Sequence, residues 1–405
     1  LEIFYSRRVG KSIDGEAIPI LGGLKITNKS RDWNLGMLGA YTDSYQDTTM
    51  YNIDEPNRWF GALRARRSIF ENSDIGILFS GTAVDAETRN CALGIDAVYR
   101  NGPNQIIVQG ALSSMKDSLQ DKYGFALDAG YFGFMKNFIT MAMARVIQDS
   151  FDVNHIGFVP WVGSKKFMFG TGPYIECQRG PVRRFFVAPS VTVTQEPFTS
   201  EWSYLGAIET NFAFRNEWGF DFSVSAGPYN EAPYPGVDTN YFRRELDFSI
   251  WGNLFANSFN AGCNYEYGWN YLRNCLAYQG TNRITYNYSI IPQLSVGLAV
   301  YHWIEWNEQN EIIYTWPMFR PQASVRFNSD ITLNIFDEIV TQTPGTDFGE
   351  LQLLQNRVGL FFSWNFRPKS WIYIALNDYR EQDMYGDLQP IYQIAAVKAK
   401  YLIYF

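Results

Sequence analysis

Long stretches of this 405-residue chain alternate between apolar and polar side chains with a period of two, and that pattern restricts the fold more than any other feature. Over 259–271 one set holds Phe259, Ala261, Cys263, Tyr265, Tyr267, Trp269 and Tyr271, and the opposing set Asn260, Gly262, Asn264, Glu266, Gly268 and Asn270. Over 202–215, Trp202, Tyr204, Gly206, Ile208, Thr210, Phe212 and Phe214 oppose Ser203, Leu205, Ala207, Glu209, Asn211, Ala213 and Arg215. Likewise Val358, Leu360, Phe362, Trp364 and Phe366 oppose Gly359, Phe361, Ser363, Asn365 and Arg367. Successive side chains of a strand point to opposite faces, so each run reads as a strand with one apolar and one wet face. The runs outlast the ~5–6 residues of an ordinary strand and match the ~9–11 that cross a bilayer. A soluble β-sandwich would alternate too, but with shorter strands and without Tyr and Trp ringing the outward face.

Composition agrees. Aromatic residues make up 17% of the chain, while the mean hydropathy is only −0.21, so the two kinds of residue must be interleaved. Transmembrane barrels interleave them, with lipid on one side and an aqueous lumen on the other. No stretch reaches the ~18 consecutive apolar residues of a membrane-spanning helix. A net charge of −7 and a pI near 5.1 argue against a nucleic-acid partner, which needs a basic face. Leu1–Gly10 carries Arg7 and Arg8 but no apolar core, so an upstream signal peptide is expected to have been removed. Cys91, Cys177, Cys263 and Cys275 show no metal-ligand spacing. A Cys263–Cys275 bridge is conceivable, but Cys263 shares parity with the outward aromatics, and isolated apolar thiols are the expectation.

Connections alternate in length. Tight turns are predicted at 28–32, 71–74, 101–104, 135–137, 178–181, 216–219, 328–330 and 367–370. Longer polar stretches at 42–57, 148–160, 228–240, 341–355 and 380–390 fall between them. Short periplasmic turns and longer extracellular loops are how outer-membrane barrels are strung. The expectation is one all-β domain over 1–405, a closed antiparallel transmembrane barrel with an even strand number of about 22, within 16–22. Leu1–Pro19 is either a first strand, in Ile3–Gly10, or a segment reaching into the lumen. The last strand alternates to its end, with Val397, Ala399, Tyr401, Ile403 and Phe405 on the outward face. It looks like the closing strand that such barrels present to their insertion machinery, with Tyr401, Ile403 and Phe405 as the assembly signal.

The chain also resembles, over nearly its whole length, an uncharacterised C-terminal barrel domain of bacterial envelope proteins. The likeness is carried by Phe4-Tyr5-Ser6-Arg7-Arg8-Val9-Gly10, by Leu21-Gly22-Gly23-Leu24-Lys25-Ile26-Thr27 and by Arg64-Ala65-Arg66-Arg67. Further matches are Asn154-His155-Ile156-Gly157-Phe158-Val159, Ser363-Trp364-Asn365-Phe366-Arg367-Pro368 and Val397-Lys398-Ala399-Lys400-Tyr401-Leu402. In that family the barrel follows a module similar to family-9 carbohydrate-binding modules, which is absent from this chain. The resemblance implies an outer-membrane location and brings no catalytic residue.

Chemistry is sparse in the sequence. Only two histidines exist, His155 and His302. His155 lies in a predicted extracellular connection beside Asp152 and Asn154, where a rim hydrolase is conceivable, but no nucleophile motif accompanies it. His302, between Tyr301 and Trp303, suits an interfacial aromatic belt. No cofactor or metal motif is recognisable; Asp43 and Asp47 lack the rest of an EF-hand, and Asp149 and Asp152 are scattered loop carboxylates. Arg64, Arg66, Asp96, Arg100, Asp128, Glu209, Arg215, Asp221, Glu245, Asp247, Glu266, Lys398 and Lys400 carry lumenal parity. They are read as lumen-facing, either bracing the wall or selecting a solute. Trp202, Tyr204, Tyr265, Tyr267, Trp269, Trp364 and Phe366 are read as lipid-interface aromatics. The expected role is a channel or transport barrel for an extracellular solute, in the finer reading a saccharide. The alternative is a scaffold with a plugged lumen that anchors periplasmic or surface partners. Expected partners are outer-membrane lipid, the insertion machinery and other envelope proteins.

Overall fold

The computed structural model describes residues 1–12, 17–47, 53–117, 120–255 and 257–402. Its strands are β1 (Ile20–Lys29), β2 (Trp33–Thr42), β3 (Tyr45–Asp47), β4 (Ile53–Glu55), β5 (Arg58–Ile69), β6 (Ser73–Ala83), β7 (Arg89–Asn101) and β8 (Asn104–Asp117). Then follow β9 (Gln120–Met135), β10 (Phe138–Ile147), β11 (Lys165–Glu176), β12 (Val182–Gln195), β13 (Ser203–Phe214), β14 (Gly219–Tyr234), β15 (Val237–Leu254) and β16 (Asn257–Asn270). The chain ends with β17 (Cys275–Ile291), β18 (Leu294–Trp306), β19 (Ile312–Arg326), β20 (Ile331–Pro344), β21 (Gln352–Arg367), β22 (Ser370–Gln382) and β23 (Leu388–Lys400). Twenty-one of them belong to one antiparallel sheet, and β3 pairs with β4 in a separate ribbon.

Two compact units can be distinguished: unit 1 is Leu1–Tyr174, Ala188–Ala207 and Gly227–Phe242, and unit 2 is Ile175–Val187, Ile208–Ala226 and Arg243–Phe405. Within unit 1 each strand from β1 to β10 pairs with the next, the β3–β4 ribbon aside. Within unit 2 the same up-and-down order runs from β15 to β23. Neighbouring strands in sequence pair because tight turns join them. Gly102 and Gly180 sit in two of these turns at φ 55° and 88°, a left-handed conformation that glycine adopts without steric cost.

The alternation read from the sequence sets the faces. In β5, Trp59 and Leu63 are exposed on one face while Arg58, Phe60 and Ala62 are buried on the other. In β21, Val358 and Trp364 are exposed on one face while Gly359 and Ser363 are buried on the other.

Three expectations need correction. The Ile3–Gly10 segment is not a strand: Ser6–Arg8 forms a 3-10 turn, and Glu2 makes an isolated bridge to Phe158. The described sheet holds 21 strands, within the expected 16–22. The predicted loop at 228–240 is a hairpin, because β14 continues to Tyr234 and β15 resumes at Val237 around Gly236 at φ 86°. The 148–160 stretch, expected as an extracellular connection, folds back on the sheet, where Phe151, Val153 and Ile156 are all buried.

Candidate functional site

Small residues make a floor on the polar face of unit 1. One cross-strand row runs Ser80, Ala92, Ser113, Gly124, and the next runs Leu78, Gly94, Ala111, Ala126, Ile147. Two segments outside the strands lie on it. Ile3, Phe151, Val153 and Val159 form a buried cluster with Ala92, Ala111, Ala126 and Ile147. A second cluster joins Ile156 to Ala40 and Phe60, with Phe4 and Val9 against it. The floor has to be small: a Cβ at Gly124 would stand 2.3 Å from Phe151 Cα, and one at Gly94 2.6 Å from Ile3 Cδ1.

The cover is also hydrogen-bonded, as buried polar groups require. Ser80 Oγ donates to the Ile3 carbonyl at 2.6 Å, and Asn90 Nδ2 donates to the Asp152 carbonyl at 2.9 Å. The Asp152 amide donates to Ser113 Oγ at 3.0 Å. The two covering segments hold each other through Phe158 N to Glu2 O and Tyr5 N to Ile156 O, both 2.8 Å. His155 lies in this cover, in a narrow cavity lined by Arg8, Ser12, Glu55 and Arg58. Burial first, and the Arg58 charge second, hold its imidazole below the ordinary histidine value.

Beside the floor stand the charges expected to face the lumen. Arg64 forms a two-pronged ion pair with Asp96, one contact at 2.8 Å, by reaching across β6 at Gly76. Asp74 accepts from Arg66 Nε at 2.7 Å and lies 3.5 Å from Arg100. Asp128 accepts from Arg145 Nε at 2.8 Å. Arg64, Arg66, Asp96, Arg100 and Asp128 therefore share one face and are each ion-paired.

In unit 2 Asp221 accepts from Asn211 at 2.6 Å, Trp251 Nε1 at 3.0 Å and Ser249 at 3.3 Å. Glu245 and Glu266 are directly opposite on β15 and β16; Glu266 accepts from Arg243 at 2.9 Å and Gln279 at 2.8 Å. Asp247 is opposite Asn264, on the same face as Glu245. Glu209 lies on the Asn211 face of β13, two residues away. Arg215 instead donates to the carbonyls of Cys177 and, at 3.0 Å, Gly180, closing a turn. Lys398 and Lys400 lie opposite Tyr373 and Trp371. Sequence parity missed two partners here: Glu305, only 2% exposed, pairs with Arg273 at 3.1 Å, and Arg320 lies 3.7 Å from Glu338.

The expected interface aromatics occupy the opposite face. Tyr265 and Tyr267 alternate with Asn264 and Glu266. Tyr267 packs on Tyr278 at 5.0 Å, and Arg244 lies over both rings. Trp269 follows two residues on, opposite Leu276. Trp364 and Phe366 meet edge to face at 5.9 Å. In unit 1, Tyr204 is exposed and Trp202 packs near Phe167 at 6.1 Å. Tyr401 stacks on Phe366 at 6.2 Å, while Ile403 and Phe405 lie outside the described residues. The four cysteines are free; Cys263 faces Asn282 and Cys275 faces Asn270, well separated along the strands.

No family model and no curated protein matches the chain. Among solved structures it is similar to the ferric-catecholate import receptor Fiu of E. coli K12 in an open form, at 8% identity and a TM-score of 0.46, covering 93% of this chain and 71% of that one.

Proposed function

We propose that the sheet closes into an outer-membrane β-barrel that carries an extracellular solute, in the finer reading a saccharide, past a cover built from its own chain. The observation that carries this is the pairing of an exposed apolar face with a charged face on the same strands. On β21 the apolar face holds Val358, Leu360, Phe362, Trp364 and Phe366. Above them it turns polar at Asn356, which donates to Asp337 at 2.7 Å. The eight steps from Val358 to Phe366, at ~3.3 Å each, give about 26 Å along the strand, or about 20 Å along the membrane normal at a ~40° tilt. That is close to the ~25 Å apolar band of such barrels. The opposite face, with ion pairs and amides, suits water. In this reading the barrel is not an enzyme: His155 belongs to the cover, in a cavity lined by Arg8, Ser12, Glu55 and Arg58, with no nucleophile motif beside it.

The scaffold alternative draws on the cover itself, which would serve equally well as a permanent plug. Planar-bilayer recording separates the two. Discrete conductance steps are expected from the full chain, larger for Phe151→Asp, which puts a charge into the buried cluster under the cover. Silence from both proteins, inserted and folded, would leave the scaffold reading standing. Hydrolytic activity abolished by His155→Ala would overturn the non-enzymatic one.

A further inference from the structure

The polar face of β20–β23 carries aromatic rings where a wall that only met water would not need them. Phe361 lies on the same face as Gly359 and Ser363 and is 43% exposed. Its ring is near-parallel to Tyr373, 5.8 Å away at 21°, and Tyr373 is near-parallel to Trp371, 5.8 Å away at 6°. Phe336, on the neighbouring strand, extends the series: a Cβ at Gly359 would meet its ring at 2.2 Å, so the ring lies across β21. Arg320 and Arg357 stand over Phe336 at 4.4 and 6.0 Å and hold it there.

Cations line the same series. Lys398 is opposite Tyr373 and Lys400 opposite Trp371, and neither has an ion-pair partner among the described residues. Arg357 donates to Asn377 Oδ1 at 3.1 Å and has Glu338 directly opposite on β20, so it braces the end of the series. Hydrogen-bonding groups complete the surroundings: Ser363 is opposite Tyr373, and Asn334 is opposite Phe361.

We propose that this face is a binding track for an acidic oligosaccharide, with Phe361, Tyr373 and Trp371 stacking against successive sugar rings and Phe336, held under Arg320, bounding the track. Lys398 and Lys400 take the carboxylates. Flat rings in near-parallel succession fit the C–H faces of pyranoses, and unpaired cations beside them fit an anionic chain. The assignment rests on the reading of the sheet as a solute-carrying barrel, and its test is independent of conductance.

Isothermal titration of the purified full chain in detergent uses oligogalacturonate, a maltooligosaccharide of equal length and polyglutamate. Oligogalacturonate is expected to bind, and Phe361→Ala with Tyr373→Ala to weaken it about tenfold or more. Lys398→Gln with Lys400→Gln should weaken the acidic glycan about tenfold while leaving the neutral one unchanged. Phe362→Ala, on the opposite face of β21, should change nothing. Heat-modifiable mobility on gels reports folding, and Phe361→Leu, which keeps apolar volume but loses the flat ring, replaces any alanine variant that fails it. Equal binding by parent and ring variants would overturn the track, as would polyglutamate binding that needs the lysines but not the rings. Binding without conductance would keep the track and remove the channel; conductance without binding would remove the track alone.

Discussion

The polar faces of the two units are built on opposite plans. In unit 1 the floor is Ser80, Ala92, Gly94, Ala111, Ser113, Gly124 and Ala126, and other parts of the same chain lie on it. In unit 2 the face carries long side chains, such as Trp251, Arg283, Arg320, Phe336 and Arg357, and both buried apolar clusters among the described residues lie in unit 1. Side-chain length decides which wall can be covered. A backbone segment can approach a sheet closely only where the facing Cβ atoms carry little, and small residues across four strands provide that. A wall of long side chains holds other matter off.

The sharpest way to break this comparison is to remove one ring from each plan. Phe151 is 1% exposed in the cover, so Phe151→Ala should cost about 3–5 kcal/mol. Phe361 is exposed, so Phe361→Ala should stay within about 0.5 kcal/mol. Urea unfolding in lipid reads both, with protease nicking of 148–164 as a second measure for Phe151→Ala. Equal losses would mean that the two faces are not built differently.

Charges sharpen it at a smaller scale. Asp96, 21% exposed in its side chain, accepts both prongs of Arg64, so Asp96→Asn should lower stability by about 1–3 kcal/mol. Asp378 also pairs with an arginine, Arg380 at 2.8 Å and two residues away on the same strand, but its side chain is more exposed, at 32%, so Asp378→Asn should change little in the same unfolding assay. If Asp96→Asn were silent, the charges beside the floor would be free to serve a solute, and the bracing role would fall.

The fold class could be read early because period-two alternation is a local property: Tyr265, Tyr267 and Trp269 declare their face without reference to any distant residue. Ion-pair partners were partly readable, since Arg64 and Asp96 share a parity, but which arginine meets which carboxylate depends on cross-strand register. The cover was only half visible. Leu1–Pro19 stood out as a segment that could reach inward, yet 148–160 looked like an ordinary polar loop. The missing signal was the run of Ser, Ala and Gly at inward positions of β6–β9, which means little strand by strand and becomes a floor only when the strands are aligned. Phe361 was assigned to the inward set, but its ring gains meaning only beside Tyr373 on the next strand.

The smallest expected effect concerns acid. His155 sits in the cover with Arg58 and Arg8 opposing its protonation and Asp152 and Glu55 favouring it; burial is the largest influence, and the net result is a lowered value. A histidine whose value is lower in the covered state than in the detached segment favours the cover when neutral. That contribution is present above the ordinary histidine value of about 6.5 and is lost as the pH falls below it toward the lowered value. Protease nicking of 148–164 should therefore rise modestly below pH 6.5. His155→Gln, which cannot be protonated, should flatten the profile, while His302→Gln, at the one other histidine of the chain, should leave it intact. A profile that survives His155→Gln would assign the acid response to the carboxylates beside the floor of unit 1, and the contrast between the two units would then rest on packing alone.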